Sequence, residues 1–399
     1  PHYCVNEEIL VNQLTHACSH SSKDHNSIAL AAEKLSQKAQ SHPSSKDHFE
    51  SLLQEYGLEN HEGVLLMTLA ESLLRVPDAA TADALITEIM EAANWDAHTQ
   101  HSQSPWVNAA TQGLLFTKHF LKSNSNHDEN QPSPSLLKRT IKRVGEAAVR
   151  QGINQAMAMM GKHFVLGESI EEAIINSQAM QEEGYTYSFD MLGEAAISNE
   201  DAEHYFNRYL NAIELIGNYR NTNTNIFSRP SVSIKLSALC PRFEMTQQHC
   251  VMSELYQRIL LLAKATRAKN IGLSIDAEEM DRTEITLMLF EKLFISETLQ
   301  GYEQIGIAVQ AYSKRALPVL IWLNALSREH GKRIPIRLVK GAYWDNEIKL
   351  AQQRGLVDYP VFTLKAASDV SYLVCAQFLF SDAASEYLYP QFATHNAHT

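Results

Sequence analysis

The sequence predicts an α/β fold: a parallel (βα) barrel preceded by an all-α region and an N-terminal arm. Three observations carry that prediction. Past Gly184, short β-branched runs alternate with amphipathic helical patterns. These units recur every ~25–45 residues, the rhythm of parallel strands joined by crossover helices. Before Gly184 the apolar spacing, where there is one, is helical. A chain of 399 residues has room for a barrel-sized domain plus a smaller one, since domains run to about 50–250 residues.

Composition narrows the function classes. The chain is 45% hydrophobic and 20% charged, which fits an ordinary globular protein and excludes a disordered or fibrous one. Its formal charge of -12, with four Lys, no Arg and eight Asp or Glu in residues 1–60, argues against nucleic-acid binding through this chain. No apolar run is long enough to span a bilayer. The five cysteines are odd in number and form no C-x-x-C pair, a pattern that suits a reducing cytoplasm.

Residues 1–50 are rich in Ser and His with only patchy helical spacing, so they read as an arm of short helices. His16 and His20 are four apart, but no third ligand stands with them, and a solvated face is the better reading. Residues 51–135 read as an α-helical domain: one helix stops at Pro77, and a second starts near Thr81. The stretch 123–135 contains no apolar residue and reads as a linker. Residues 136–184 resume helical spacing and lead into the barrel, assigned to 185–399.

Seven strands are expected, at 185–191, 231–236, 271–275, 305–309, 334–339, 361–364 and 392–394. A closed eight-stranded barrel is the favoured arrangement and an open doubly wound sheet the runner-up. Seven parallel strands would leave unpaired N–H and C=O groups along a seam, so the last strand and helix are expected to lie outside this sequence.

The run 334–345 is the most informative. Ile334, Ile336, Leu338 and Val339 make an apolar strand interrupted by Arg337 and Lys340 and closed by Gly341. A parallel strand covered on both faces is nearly continuous in Val, Ile and Leu, so two cations there need a partner or an anionic ligand. Gly341 allows close backbone approach, while Tyr343 and Trp344 add flat apolar surface. Together they point to a planar, partly anionic ligand.

Barrel chemistry gathers at the carboxyl ends of the strands. There the sequence offers Asp190, Lys235, Asp276 and Glu278, Gln310 and Tyr312, then Arg337, Lys340 and Tyr343, Thr363 and Lys365, and His395 and Asn396. Asp276 and Glu278 could equally serve the start of the following helix. Lys235 could form a Schiff base, as in class I aldolases. His395 and His398 lack a third metal ligand at suitable spacing, so no metal site is expected.

Five motifs in order, Ser233-Ile-Lys-Leu-Ser-Ala-Leu239, Asp276-Ala-Glu-Glu-Met-Asp-Arg282, Val309-Gln-Ala-Tyr312, Arg337-Leu-Val-Lys-Gly-Ala-Tyr-Trp-Asp345 and Phe392-Ala-Thr-His-Asn-Ala-His398, resemble the proline dehydrogenase domain of the proline-utilisation flavoenzymes. The resemblance covers residues 50–399, because the helical stretches around 62–78 resemble the α-domain that precedes that barrel. It implies a distorted (βα)8 TIM-type barrel that uses FAD to oxidise L-proline to 1-pyrroline-5-carboxylate and passes electrons to a membrane quinone. The setting implied is cytoplasmic, peripheral to the inner membrane, within a longer bifunctional polypeptide carrying an aldehyde dehydrogenase module. A homo-oligomer is compatible with the sequence but not specified by it.

By position, the resemblance implies that Gln310, Arg337, Lys340, Gly341, Trp344, Thr363, Lys365, His395 and Asn396 contact FAD, with Arg337 near the flavin N5 side. Lys235 becomes a carboxylate-binding ammonium, and Asp276 and Tyr343 line the proline pocket. Two features depart from the family pattern. The Arg-Arg pair with a nearby Glu that grips the proline carboxylate is absent from this sequence and is expected beyond Thr399. Leu364 stands where the family commonly has Arg. A Schiff-base lyase using Lys235 and a non-catalytic scaffold are the alternatives.

Overall fold

The computed structural model describes residues 3–17, 22–41, 165–219 and 228–394, with isolated positions between 61 and 88 and at 225. The chain divides into two compact units, residues 1–33 with 169–399, and residues 34–168. In the second unit positions 61, 63–65 and 68, then 81, 84, 85 and 88, are helical. The expected linker at 123–135 and the helix after it lie outside the described residues.

The first unit is built on six parallel strands in sequential order: β1 (Ser188–Asp190), β2 (Ser231–Ile234), β3 (Gly272–Ile275), β4 (Ile305–Gln310), β5 (Ile334–Val339) and β6 (Leu388–Phe392). Every residue of β4 is buried, as expected for a strand with layers on both faces. Pro335 falls one residue before the β4–β5 register begins at Ile307↔Ile336, so its missing N–H costs that ladder nothing. Pro390 is tolerated because β6 lies at the edge of the sheet.

Three helices precede the sheet: α1 (Glu7–Ala17), in the arm, α2 (Ser22–Ser41) and α3 (Ile170–Glu182). The crossovers between strands are helical too, beginning with α4 (Asn199–Asn218) between β1 and β2. A one-turn α5 (Leu236–Leu239) follows β2, then α6 (Tyr256–Lys269), α7 (Thr283–Phe294), α8 (Ala316–His330), α9 (Trp344–Gln353) and α10 (Lys365–Leu379). α4 starts at a capping box: Ser198 Oγ accepts the Asp201 N–H, and the Asp201 carboxylate accepts the Ser198 N–H in return. α6 stops at Asn270 in the left-handed conformation.

Two expectations need correction. Residues 361–364 are not a strand of the sheet. Val361 makes one antiparallel bridge to Ser313, Phe362 donates its N–H to Tyr312 O at 2.8 Å, and the next two N–H groups turn to Glu7. β5 therefore pairs directly with β6, which starts at Leu388, before the expected position 392. The strands among the described residues number six, not seven.

The arm is also packed more closely than its composition suggested. Leu14 of α1 is buried against Phe362, Ala367 and Val374, with Leu10 and Val11 beside it. Burying one such leucine contributes about 1.5–3 kcal/mol, enough to hold a three-turn helix that would be marginal alone.

Candidate active site

The carboxyl ends of β1, β2, β3 and β5 bring Asp190, Lys235, Asp276 and Arg337 into one network. Arg337 Nη1 donates to Asp276 Oδ1 and to Ser233 Oγ, each at 2.8 Å, and Nη2 donates to Ser188 Oγ at 2.7 Å. β1 and β5 are four strand positions apart, about 19 Å in a flat sheet at ~4.8 Å per strand. No arginine side chain is that long, so this contact requires the sheet to curl toward a barrel.

Lys235 caps the end of β2 and is ringed by acids. Its Nζ lies 2.8 Å from Glu194 Oε1, 3.2 Å from Asp276 Oδ2 and 3.5 Å from Asp190 Oδ1. Three carboxylates thus share two cations. Burial works to lower the Lys235 ammonium, but the hydrogen bond and charge of Glu194 and the charges of Asp190 and Asp276 outweigh it and hold it above its ordinary value. The surplus acid shows at Glu194, the most enclosed of the three, where burial raises the carboxyl to about 7 against the pull of Lys235. Burial and the charge of Asp276 also raise Asp190. Glu194 is further fixed by the Tyr209 hydroxyl, which donates to it and accepts the Lys235 N–H at 3.1 Å.

Asp276 therefore belongs to the network rather than to the start of the next helix. Glu278 is structural: its Oε1 accepts the Ser237 N–H at 3.0 Å and its Oε2 takes Arg282 Nη1 at 2.6 Å. The buried Gln310 amide bridges Glu278 O at 2.8 Å and the Ala342 N–H at 3.4 Å. Tyr343 precedes α9, and burial raises its phenol first, followed by the charges of Glu278 and Glu279.

A second cationic group lies on β5 and α10. Lys340 Nζ and Lys365 Nζ reach the two oxygens of Asp369, at 2.7 and 2.8 Å. Burial pushes Asp369 up, but these two ammonium bonds outweigh it and hold it below the ordinary carboxylate value. Two ammonium groups from separate elements thus meet at one carboxylate. Trp344 donates its indole N–H to Phe362 O at 2.8 Å while 41% of it stays exposed. Gly341 has φ +137, and a Cβ there would lie 2.4 Å from the Tyr312 ring. These residues can hold a planar anion: two neighbouring ammonium groups, an exposed indole and a backbone with no room for a side chain.

Thr363 is held through its backbone by Glu7. His395, Asn396, His20 and His398 lie outside the described residues, and His16 is exposed near the end of α1. Sequence reasoning did not single out Glu194, Ser188, Ser233 or Asp369. For Glu194 the available signal was an acid four residues beyond a strand-end acid, across Gly193 with φ +74.

Behind Gly341, Glu347 of α9 is buried and accepts the Met280 N–H at 2.7 Å. Burial first, then the charges of Asp281 and Glu279, raise its carboxyl from 4.5 to about 7, against the Met280 N–H and Arg354. The folded form then binds a proton that the unfolded form has lost. Stability contributed here is present below about 4.5 and is lost as pH rises toward about 7. Glu347→Gln keeps an acceptor for Met280 without the charge. It is expected to be more stable than the parent at pH 8, by up to about 2–4 kcal/mol, and no more stable at pH 4. Urea unfolding at the two pH values checks this, and an equal difference at both would refute it.

A family model described as proline dehydrogenase matches residues 173–399. The chain belongs to the proline dehydrogenase family. The bifunctional protein PutA of Escherichia coli is 50% identical over 350 residues, covering 88% of this chain and 26% of that protein. The PutA of Rhizobium meliloti is 44% identical over 386 residues, covering 97% and 30%. A crystal structure of a Bradyrhizobium japonicum proline utilization A mutant is 38% identical, with a TM-score of 0.71, and covers 100% of this chain and 39% of that one. The chain thus spans about a quarter to two fifths of the length of these relatives.

A second model, described as the DNA-binding domain of proline dehydrogenase, matches residues 48–164. That match weighs against the expectation of no nucleic acid through this chain. Net charge is a sum, and it conceals the local cluster Lys138, Arg139, Lys142 and Arg143 inside the matched segment. Among the described residues no helix is long and apolar enough to cross a membrane.

Proposed function

We propose that this chain carries the catalytic core of an FAD-dependent oxidation of L-proline to 1-pyrroline-5-carboxylate, with electrons passing to a membrane quinone. The observation that carries the reading is the Arg337–Asp276–Lys235 network at the strand ends of a proline dehydrogenase family chain. Bound FAD would supply the two-electron acceptor for the substrate C–N bond. The residues assigned to hold it are Gln310, Arg337, Lys340, Gly341, Trp344, Thr363, Lys365, His395 and Asn396. The two ammonium groups gathered at Asp369 and the open indole of Trp344 support that assignment. The reading goes with a cytoplasmic enzyme that meets the inner membrane peripherally.

Asp276 anchors both Arg337 and Lys235, which fixes the two cations relative to each other. Lys235 has three N–H donors. Two are committed to Glu194 and Asp276, and the third faces Asp190 in the longest of the three ion pairs, at 3.5 Å. That third donor is the one a proline carboxylate takes, with Tyr343 closing the pocket. The Schiff-base alternative asks for a neutral amine, and three surrounding acids keep Lys235 charged.

The test is made on a polypeptide extended to the length of the relatives. The parent should be yellow with bound flavin. Lys235→Ala should keep that flavin and lose about ten- to a hundred-fold in kcat/KM for proline, the worth of one charged hydrogen bond of about 1.5–3 kcal/mol. A colourless parent that takes up no FAD would overturn the reading.

A further inference from the structure

The arm supplies a cap that α10 lacks. α10 begins at Lys365 with Leu364 as its N-cap, and no side-chain cap bond is made there. Glu7, 356 residues away in sequence, fills the place: its Oε1 and Oε2 accept the Thr363 N–H at 3.0 and 2.9 Å, and Oε1 accepts the Leu364 N–H at 3.4 Å. Backbone donors at a helix start need acceptors, and a carboxylate there also meets the positive end of the helix dipole.

The arm is pinned on both sides of this contact. Upstream, Lys314 Nζ donates to Val5 O and to Asp358 Oδ1, each at 2.9 Å, and the Arg315 guanidinium lies 4.9 Å from the centre of the Tyr3 ring. Downstream, Leu14 is buried on Phe362, Ala367 and Val374. Glu7 is therefore placed by contacts on either side and is not a freely moving surface acid. The turn it grips carries Thr363 and Lys365. It also opens the helix whose Asp369 ties Lys365 to Lys340.

We propose that Glu7 is a positioning residue of the flavin site, fixing the Thr363–Lys365 turn so that Lys365 and Lys340 stay at one anion-binding locus. The inference rests on the assignment of Thr363, Lys340 and Lys365 to FAD. A cap that served stability alone would lower the melting temperature and leave flavin affinity of the folded protein unchanged.

The experiment titrates FAD into the extended apoprotein, following the flavin fluorescence, for the parent, Glu7→Ala, Glu7→Gln and Leu14→Ala. Glu7→Ala should weaken FAD by about ten- to a hundred-fold, two charge-assisted bonds being lost. Glu7→Gln keeps one carbonyl acceptor and should fall between, and it carries the comparison should Glu7→Ala fail to fold. Leu14→Ala thins the arm packing without touching the cap, so it should lower the melting temperature with a much smaller change in FAD affinity. If the Glu7 variants and Leu14→Ala lose FAD affinity only in proportion to their loss of melting temperature, or if the Glu7 variants bind FAD as the parent does, the proposal fails while the flavin reading stands. A parent that takes up no FAD brings down the flavin reading itself, and this inference with it.

Discussion

Arg337→Met is expected to reduce proline turnover by about a hundred- to a thousand-fold while leaving a folded protein. The guanidinium makes three hydrogen bonds, to Asp276, Ser233 and Ser188. Removing one partner of a buried ion pair often costs ~3–5 kcal/mol because the other charge is stranded. Asp276 is not stranded here. It keeps Lys235 Nζ at 3.2 Å and the Ser233 hydroxyl at 2.8 Å, so the stability cost should be nearer 1–3 kcal/mol. For the reaction there is no such substitute. A preorganised donor removed from a reacting centre typically costs about 2.7–4 kcal/mol, and Asp276, released on one side, holds Lys235 less firmly in place. Urea melts measure the first effect; turnover with proline and an artificial electron acceptor measures the second. Normal flavin content together with normal turnover would show that Arg337 stands outside the chemistry.

The parts of this arrangement that were legible in sequence share a property: they break a local pattern. Lys235, Asp276 and Arg337 each interrupt or terminate an apolar β-branched run, and burying a charge there demands a partner that the run itself cannot supply. Alternating periods likewise located most strands to within a few residues. The illegible parts are set by partners far away in the chain. Glu194 joins the network only because Lys235, 41 residues on, points into it, and Asp369 joins the second cationic group only because Lys340, 29 residues before it, does so. Residues 361–364 look like a strand because they are apolar and β-branched, yet their N–H groups go to Tyr312 and to Glu7. Those tertiary acceptors displaced the ladder that local propensity favoured.

Gly341→Ala should be the most damaging small substitution in the site, destabilising the protein by about 2–6 kcal/mol. Two penalties add. A φ of +137 is a conformation that residues with a Cβ rarely adopt, worth about 1–3 kcal/mol. The new Cβ would also sit 2.4 Å from Tyr312 Cδ2 and Cγ, an overpacking cost of about 1–3 kcal/mol. Tyr312 cannot easily yield, because its N–H donates to Lys340 O at 2.7 Å and its carbonyl accepts the Phe362 N–H at 2.8 Å. Against a typical total of ~5–15 kcal/mol, the sum is a large fraction of what holds the domain together. A double-mutant cycle with Tyr312→Ala separates the two penalties: the clash should disappear in the double variant, giving a coupling of about 1–3 kcal/mol, while the backbone strain remains. If the strain is relieved by a shift of the loop instead, the displacement passes to Lys340 and Tyr343 on either side, and flavin affinity should fall in a protein of near-normal melting temperature. A variant unchanged in both measurements would mean that neither the backbone angle nor the Tyr312 contact constrains this turn.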